Sequence, residues 1–182
     1  MINYTVPLLG FCAHSGTGKT TLLRQLLPLL KQQGLRIGMV KHAHHLFDID
    51  HPGKDSYELR KAGASQMLVA SRQRIALVME SDEPKSEPSL QESLSLLKPD
   101  KLDLVLVEGF KLEAIPKIEL HRAQLDKPLF YPNDKNIIAV ASDIQLPSLP
   151  ATLTQLDINN VETIAEFILK TCLPDSTRLH IS

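Results

Sequence analysis

One segment of the chain, residues 13–20 with the sequence AHSGTGKT, constrains the fold more than any other. It follows an unbroken apolar run at residues 8–12 and precedes leucines at helical spacing. Its two glycines let backbone N–H groups converge on an anion, and the lysine and threonine at its end supply a cation and a Mg²⁺ ligand. The helix that begins there adds the positive end of its dipole. The pattern therefore predicts a strand, a phosphate-binding loop and a helix, in that order.

The loop departs at one position from the usual pattern G-x-x-x-x-G-K-[ST], because Ala13 stands where the first glycine is expected. Alanine still allows a tight exit from the strand if its φ angle stays negative. The hydroxyl of Thr20 is the predicted Mg²⁺ ligand of this loop. We expect the phosphates to be bound by Ser15, Gly16, Thr17, Gly18, Lys19, Thr20 and Thr21.

A second apolar run, at residues 102–107, ends in Glu108 and Gly109. A phosphate loop at the carboxyl end of one strand needs a carboxylate at the same end of a neighbouring strand, to hold Mg²⁺ directly or through water. We therefore predict that this strand lies beside the first and that Glu108 serves the metal. Gly109 would allow the backbone to approach a γ-phosphate closely. The alternative is that Glu108 is an ordinary strand-terminal acid facing solvent.

The remaining periodicity completes the fold prediction. Further strands are predicted at 36–41, 117–121, 137–142 and 152–156, and helices at 19–33, 55–62, 89–97 and 161–171. Short β-type runs at 66–70 and 75–80 indicate an antiparallel hairpin. Together they predict an α/β P-loop NTPase fold, an open, mostly parallel sheet flanked by helices with an inserted β-hairpin.

Length and composition limit the classes of protein and partner. We expect residues 1–173 to form a single nucleotide-binding domain and residues 174–182 to be a C-terminal tail. The 20 basic and 21 acidic residues nearly cancel, so no global field attracts nucleic acid. The apolar runs are too short to span a membrane. Two widely separated cysteines fit a cytoplasmic protein.

The polar segment at residues 41–55 has two interpretations. The favoured one is a switch loop over the nucleotide phosphates, with contributions from Lys41, His42, Asp50 and Asp55. The other is a transition-metal site, because this segment is rich in histidine and imidazole suits nickel and zinc. Asp55 by itself is better explained as the N-cap of the helix that follows.

Three segments give the chain a family resemblance: AHSGTGKTTLL, VKHAHHLFDIDHPGKDSYELRKAGA and LDLVLVEGFK. With these, the chain resembles the molybdopterin-guanine dinucleotide biosynthesis adapter family, MobB. The resemblance implies a dimer that binds GTP with Mg²⁺, using residues 15–21 for the phosphates and Thr20 and Glu108 for the metal. It implies as partners the guanylyltransferase that joins GMP to molybdopterin, and molybdopterin-bearing enzymes. No [NT]-K-x-D guanine signature follows Glu108, so the guanine preference comes from the resemblance alone.

Two other functions remain open at this point: a metallochaperone-type GTPase using the histidines near residue 44, and a P-loop small-molecule kinase. Two further expectations come from the residues. The hairpin presents apolar strand edges that a second copy can extend, which predicts a homodimer. Phe110 and Lys111 follow Gly109, where some GTPases have a glutamine that orients water, so intrinsic hydrolysis should be weak.

Overall fold

The computed structural model describes residues 2–43, 47–80 and 87–173. Backbone contacts group residues 1–42 and 89–182 into one unit and residues 43–88 into a second. The tail predicted at residues 174–182, and the histidines at positions 44 and 45, lie outside the described residues.

The first unit is built on an open parallel sheet. The strands of the chain are β1 Leu8–Ala13, β2 Ile37–Lys41, β3 Gln66–Ala70, β4 Ile75–Met79, β5 Leu104–Glu108, β6 Lys117–His121, β7 Ile137–Ser142 and β8 Thr154–Asp157. Six of them form one sheet in the order β2-β5-β1-β6-β7-β8, with every neighbouring pair parallel. This confirms the predicted fold class and the position of β5 beside β1. It also brings the carboxyl ends of β1, β5 and β2 to one edge.

Helices cover both faces of this sheet, which is why β1, β5 and β7 are nearly continuous apolar runs. The helices of the chain are α1 Lys19–Gln32, α2 Asp55–Lys61, α3 Leu90–Ser95 and α4 Val161–Cys172. Leucines of α1 and isoleucines of α4 pack with Leu9, Phe11 and Leu106 on one face. Leu90 and Leu94 of α3 pack with Val105 and Val107 on the other. None of the helices in the described ranges has the length and apolar character needed to cross a membrane.

The ends of the helices mostly follow their sequence signals. Helix α1 is followed by Gly34 at φ 80°, the left-handed geometry that ends many helices, although Pro28 lies inside it. Ser89 and Glu92 form a reciprocal capping box on α3. Asn160 caps α4 by accepting a hydrogen bond from the N–H of Thr163, at 3.0 Å.

The prediction that Asp55 caps α2 is wrong. Lys54 occupies the N-cap position in extended backbone geometry, and Asp55 is the first helical residue. The helix therefore starts one residue earlier than the capping-box spacing suggested, and no side chain caps it. Instead, Glu58 accepts a hydrogen bond from the N–H of Gly53, at 3.0 Å.

Three parallel connections in the first unit, residues 109–116, 122–136 and 143–153, lack an α-helix. Parallel strands are usually joined through a helix, which satisfies its own backbone. Here the side chains of β6 help to anchor the second connection. Glu119, 1% exposed, accepts hydrogen bonds from the N–H groups of Phe130 and Tyr131, at 2.7 and 2.9 Å. Lys117, also buried, donates to the carboxylate of Asp134 at 2.7 Å.

The second unit contains α2 and an antiparallel hairpin in which β3 pairs with β4. This confirms the inserted hairpin. Its central side chain is the buried Arg60 of α2, which donates to the carboxylates of Asp48 and Asp50, at 2.7 and 2.5 Å, and to Glu80. The hydrogen bond from Arg60 holds the pKa of Asp50 below its usual range, so this carboxylate stays ionised and paired.

Candidate nucleotide site at the carboxyl ends of β1 and β5

The loop between β1 and α1 has the backbone geometry of a phosphate cradle. Gly16 and Gly18 lie in the left-handed region, at φ 83° and 94°, which side-chain-bearing residues rarely adopt. A Cβ added at Gly18 would meet no protein atom within 4 Å, so glycine is needed there for conformation and not for space. Gly18 is the N-cap of α1 and has no side chain to cap it. The first N–H groups of α1 therefore face outward, as an anion requires.

Internal hydrogen bonds hold this loop in shape. The hydroxyl of the buried Thr17 donates to the carbonyl of His14 at 2.8 Å, across the turn. The Nε of Arg122, just beyond β6, donates to the carbonyl of Thr17 at 3.3 Å. Arg122 also lies 3.6 Å from the carboxylate of Asp143. The loop is thus fixed before any ligand arrives, which lowers the entropic cost of binding.

A carboxylate between two lysines lies at the same edge of the sheet. The Nζ of Lys19 is 3.5 Å from Oε1 of Glu108, and the Nζ of Lys41 is 3.6 Å from the same oxygen. These residues come from the start of α1 and from the ends of β5 and β2, which the parallel register aligns. The side chain of Glu108 is 12% exposed, so its charge is screened less than that of a surface acid.

Close backbone approach makes glycine necessary after Glu108. Gly109 has φ 95°, and a Cβ there would lie 2.8 Å from Cβ of His42. The N–H of His42 donates to the carbonyl of Glu108 at 2.8 Å, and its ring stacks on Phe110 at 4.9 Å. The backbone that follows β2 and the backbone that follows β5 are therefore in direct contact next to Glu108.

A second set of contacts anchors the loop at His14. The ring of His14 stacks on Phe130 at 4.3 Å between centroids, and its Nε2 lies 2.9 Å from the carbonyl oxygen of Pro128. Because Phe130 is in turn held by Glu119, a buried carboxylate of β6 positions the phosphate loop through two contacts. Burial raises the pKa of Glu119, against the lowering effect of the two N–H groups that it accepts.

The structure thus places residues 15–21, Glu108, Lys41 and His42 within one unit, around one edge of its sheet. Asp50 and Asp55 belong to the second unit, where Asp50 is paired with Arg60. No group of three potential metal ligands occurs among the residues described, and His44 and His45 are not among them. Sequence reasoning gave His14, Glu119 and Phe130 no role at this site, and considered Arg122 only as a candidate arginine of a kinase. For Glu119 the sequence held one signal. Polar and apolar residues alternate in KIELH, which is unusual for a central strand.

A cavity of about 320 Å³ adjoins the loop on the α1 side. Part of its lining is the loop itself and the first turns of α1. The rest comes from Arg122 and Gln124 beyond β6 and from Ile158 and Asn159 beyond β8. The side chains that can hydrogen bond to a ligand are those of Thr21, Gln25, Arg122, Gln124 and Asn159. Its position beside the loop and its amides suit the nucleoside part of a nucleotide.

Comparison with known proteins gives the family. The model of the family described as "MobB: Molybdopterin guanine dinucleotide synthesis protein B" matches residues 8–143, which include the whole loop and Glu108. The chain belongs to the MobB family. It is 52% identical to the molybdopterin-guanine dinucleotide biosynthesis adapter protein of Escherichia coli (strain K12), over 91% of this chain and 93% of that one. It is 44% identical to the protein of the same name from Haemophilus influenzae, over 92% and 90%.

Solved MobB structures share the fold. The chain superimposes with a TM-score of 0.67 and 27% identity on a crystal structure of molybdopterin-guanine biosynthesis protein B, covering 90% of this chain and 98% of that one. It superimposes with a TM-score of 0.70 and 23% identity on Bacillus subtilis MobB, covering 93% and 99%. The second likeness bears on the fold alone.

Proposed function

We propose that this MobB-family protein is a GTP-binding adapter in molybdopterin-guanine dinucleotide biosynthesis, with homodimers as its working form. Its relatives at 52% and 44% identity bear the name of an adapter in that pathway. The observation that carries the nucleotide part is the meeting of Lys19 and Glu108 at the end of a preformed glycine loop. Its natural partner is the nucleotidyltransferase that consumes GTP in the same pathway.

The residues present match the requirements of a magnesium nucleotide. The N–H groups of the loop and the ammonium of Lys19 would bind the phosphates, with Thr20 and Glu108 on the metal side. Mg²⁺ supplies charge neutralisation between phosphate oxygens when it is bound, and needs few protein ligands because it keeps several waters. Lys19 would then exchange its carboxylate partner for phosphate oxygens. Lys41 remains beside Glu108 to balance its charge.

We place the nucleoside in the cavity beside α1. Gln25, Gln124 and Asn159 there carry amides that can both donate and accept hydrogen bonds. Guanine offers an acceptor at O6 and donors at N1 and N2, whereas adenine reverses the order of the groups on that edge. A site built to hydrogen-bond one pattern discriminates against the other because its own polar groups are left unpaired.

Parallel titrations with GTP and ATP in the presence of Mg²⁺ test this function. We expect GTP to bind at least about tenfold more tightly, a difference of about 1.4 kcal/mol. Equal affinities would remove the guanine preference, and binding of neither nucleotide would overturn the function as proposed.

The variant Glu108→Gln distinguishes binding of the metal from binding of the phosphates. In Glu108→Gln we expect nucleotide binding to be retained, while most of the gain in nucleotide affinity on adding Mg²⁺ is lost. The reason is that the amide is a poor Mg²⁺ ligand and leaves the ammonium of Lys19 without a competing carboxylate. The measurement is a nucleotide titration with and without Mg²⁺, with Glu113→Gln as a control in the connection after β5. An unchanged Mg²⁺ dependence would place Glu108 away from the metal.

The hairpin supplies the argument for a homodimer. Leu68 faces Leu77 and Ala70 faces Ile75 across β3 and β4. On this face Leu68 is 60% exposed, Leu77 47% and Ile75 67%. A two-stranded hairpin is marginally stable alone, and an exposed apolar strand pair invites pairing with another chain. A second copy offers the same surface and closes the assembly by two-fold symmetry.

We expect light scattering to show a dimer at concentrations on the order of tens of micromolar. The double change Leu68→Lys with Leu77→Lys should convert it to monomer, since like charges would face each other across both copies. Leu96→Lys is the matched control, because Leu96 is 61% exposed but lies just after α3 in the other unit. A monomeric parent protein, or a dimer that survives the double change, would contradict the proposal.

Hydrolysis by the isolated protein should be slow. Arg122, the arginine that contacts the loop, is already committed to the carbonyl of Thr17 and to Asp143. The residue after Gly109 is Phe110, whose ring stacks on His42. An arginine supplied by a partner raises such rates by about 10³ to 10⁵.

Steady-state phosphate release measures this directly. We expect fewer than about 10⁻² turnovers per second from the protein alone, the range of GTPases without an activator. Addition of the partner nucleotidyltransferase should raise the rate or change nucleotide affinity. Several turnovers per second in isolation, roughly the rate of a fully activated GTPase, would identify this chain as an enzyme in its own right.

A further inference from the structure

A second and larger cavity, of about 650 Å³, lies on the face of the sheet opposite α1. It is bounded by two of the connections that lack an α-helix, at residues 111–112 and 130–136. Cys12 of β1, 3% exposed, lies at its base. Small-molecule sites in proteins have about 300–1,000 Å³ and a mostly apolar lining with a few convergent polar groups. This cavity has both properties.

The charge around the cavity is positive. Lys111 and Lys135 line it, and both are exposed. Asp134 is the carboxylate of the lining, and Lys117 neutralises it at 2.7 Å from beneath. Partial burial opposes ionisation of Asp134, but the hydrogen bonds from Lys117 and Asn136 outweigh it and lower its pKa. Two cations therefore remain to face a ligand.

The apolar part of the lining is fixed at Phe130. The ring of Phe130 is held by the stacked His14 and by the hydrogen bond from its own N–H to Glu119. The Nζ of Lys111 lies over that ring, 5.2 Å from its centroid, so one cation has a defined position. Burial raises the pKa of the Cys12 thiol to about 12, which keeps it neutral and apolar at the base.

The cavity shares its walls with the nucleotide site. Cys12 immediately precedes the phosphate loop, Phe130 contacts His14 of that loop, and Lys111 follows Glu108 by three residues. The nucleoside cavity, by contrast, is lined by α1 and by residues beyond β6 and β8. A molecule in the larger cavity would therefore approach the loop from the side away from the nucleoside.

We infer that this cavity is a binding site for a second small molecule, one that joins an apolar ring to a phosphate group. Its ring would lie on the apolar lining near Phe130 and Cys12, and its phosphate would be bound by Lys111 and Lys135. The inference is independent of whether the loop binds GTP, because none of these four side chains belongs to the proposed nucleotide site.

Flavin mononucleotide is a suitable probe, since it joins a flat fused heterocycle to a phosphate, and riboflavin is the same molecule without the phosphate. We expect nucleotide-free protein to quench the fluorescence of flavin mononucleotide saturably and to bind riboflavin at least tenfold more weakly. The double variant Lys111→Ala with Lys135→Ala should lose at least tenfold in affinity for flavin mononucleotide. Lys127→Ala, an exposed lysine of the same connection outside the lining, is the matched control.

Amide chemical shifts locate the probe, and we expect changes at Phe130, Asn133 and Asn136. Absence of saturable binding would overturn the inference. Equal affinity for riboflavin would also overturn it, because it would indicate an apolar surface such as one that docks a partner side chain. The same holds if GTP displaces the probe competitively, since the probe would then occupy the phosphate loop.

Discussion

Lys19→Ala should abolish measurable nucleotide binding while leaving the protein folded. The ammonium of Lys19 lies at the end of the loop, 3.5 Å from Glu108, where terminal phosphates are expected. The lysine of such a loop reaches the β- and γ-phosphates. Two hydrogen bonds to charged groups, at about 1.5–3 kcal/mol each, would be lost with this cation, so binding should weaken by about 10²-fold or more. Stability should change by less than about 1 kcal/mol, because the pair is partly solvated and Glu108 keeps Lys41.

The measurement is isothermal titration with GTP and Mg²⁺, together with thermal unfolding of the same samples. Lys31→Ala is a matched control, since Lys31 lies in the last turn of the same helix and is exposed. A folded Lys19→Ala protein with the GTP affinity of the parent would remove the nucleotide site from residues 13–20.

The phosphate loop and the strand ending at Glu108 could be predicted because both signals are local. Glycines at fixed spacing before a lysine set the backbone geometry of the loop, and an unbroken apolar run identifies a strand covered on both faces. The parallel arrangement then follows from the alternation of strands and helices. Glu108 and Lys19 meet because parallel strands end at the same edge, and this needs no knowledge of side-chain packing.

The polar side of β6 could not be predicted in the same way. The pattern KIELH reads as a strand with one solvated face, yet Lys117 and Glu119 are buried. Their partners are Asp134 and the backbone at residues 130 and 131, which no spacing rule links to β6. A charged residue in a central strand is stable only if a distant segment supplies hydrogen bonds, and only the folded structure identifies that segment.

The polar segment after β2 shows the same limit. Its aspartates suggested ligands for a nucleotide or metal, whereas Asp48 and Asp50 are both ion-paired with Arg60. Arg60 stands ten residues beyond Asp50, in a helix whose pattern gave no sign that it would be buried. A pairing of this kind depends on the fold of the segment and not on its composition. The switch function therefore remains a prediction, with Asp50 available only if this pair opens.

Glu119→Ala should destabilise the protein and weaken nucleotide binding together, although Glu119 touches no nucleotide. It removes both acceptors of the Phe130 and Tyr131 N–H groups from a position that is 1% exposed. An unsatisfied buried donor costs about 1–3 kcal/mol, so we expect a loss of that order in the free energy of unfolding. Once Phe130 is released, His14 loses its stacking partner and the phosphate loop loses one of its anchors.

A graded series distinguishes this effect from general damage. Glu119→Gln keeps one oxygen for one of the two N–H groups, so its stability and its GTP affinity should both fall between those of the parent and of Glu119→Ala. Glu166→Ala, on the exposed side of α4, is the control and should change stability by no more than about 0.5 kcal/mol. Urea unfolding measures the stability of all four proteins, and GTP titration measures their affinity for GTP. If the alanine variant were as stable as the parent, or bound GTP equally well, the link from β6 through Phe130 to the phosphate loop would not exist.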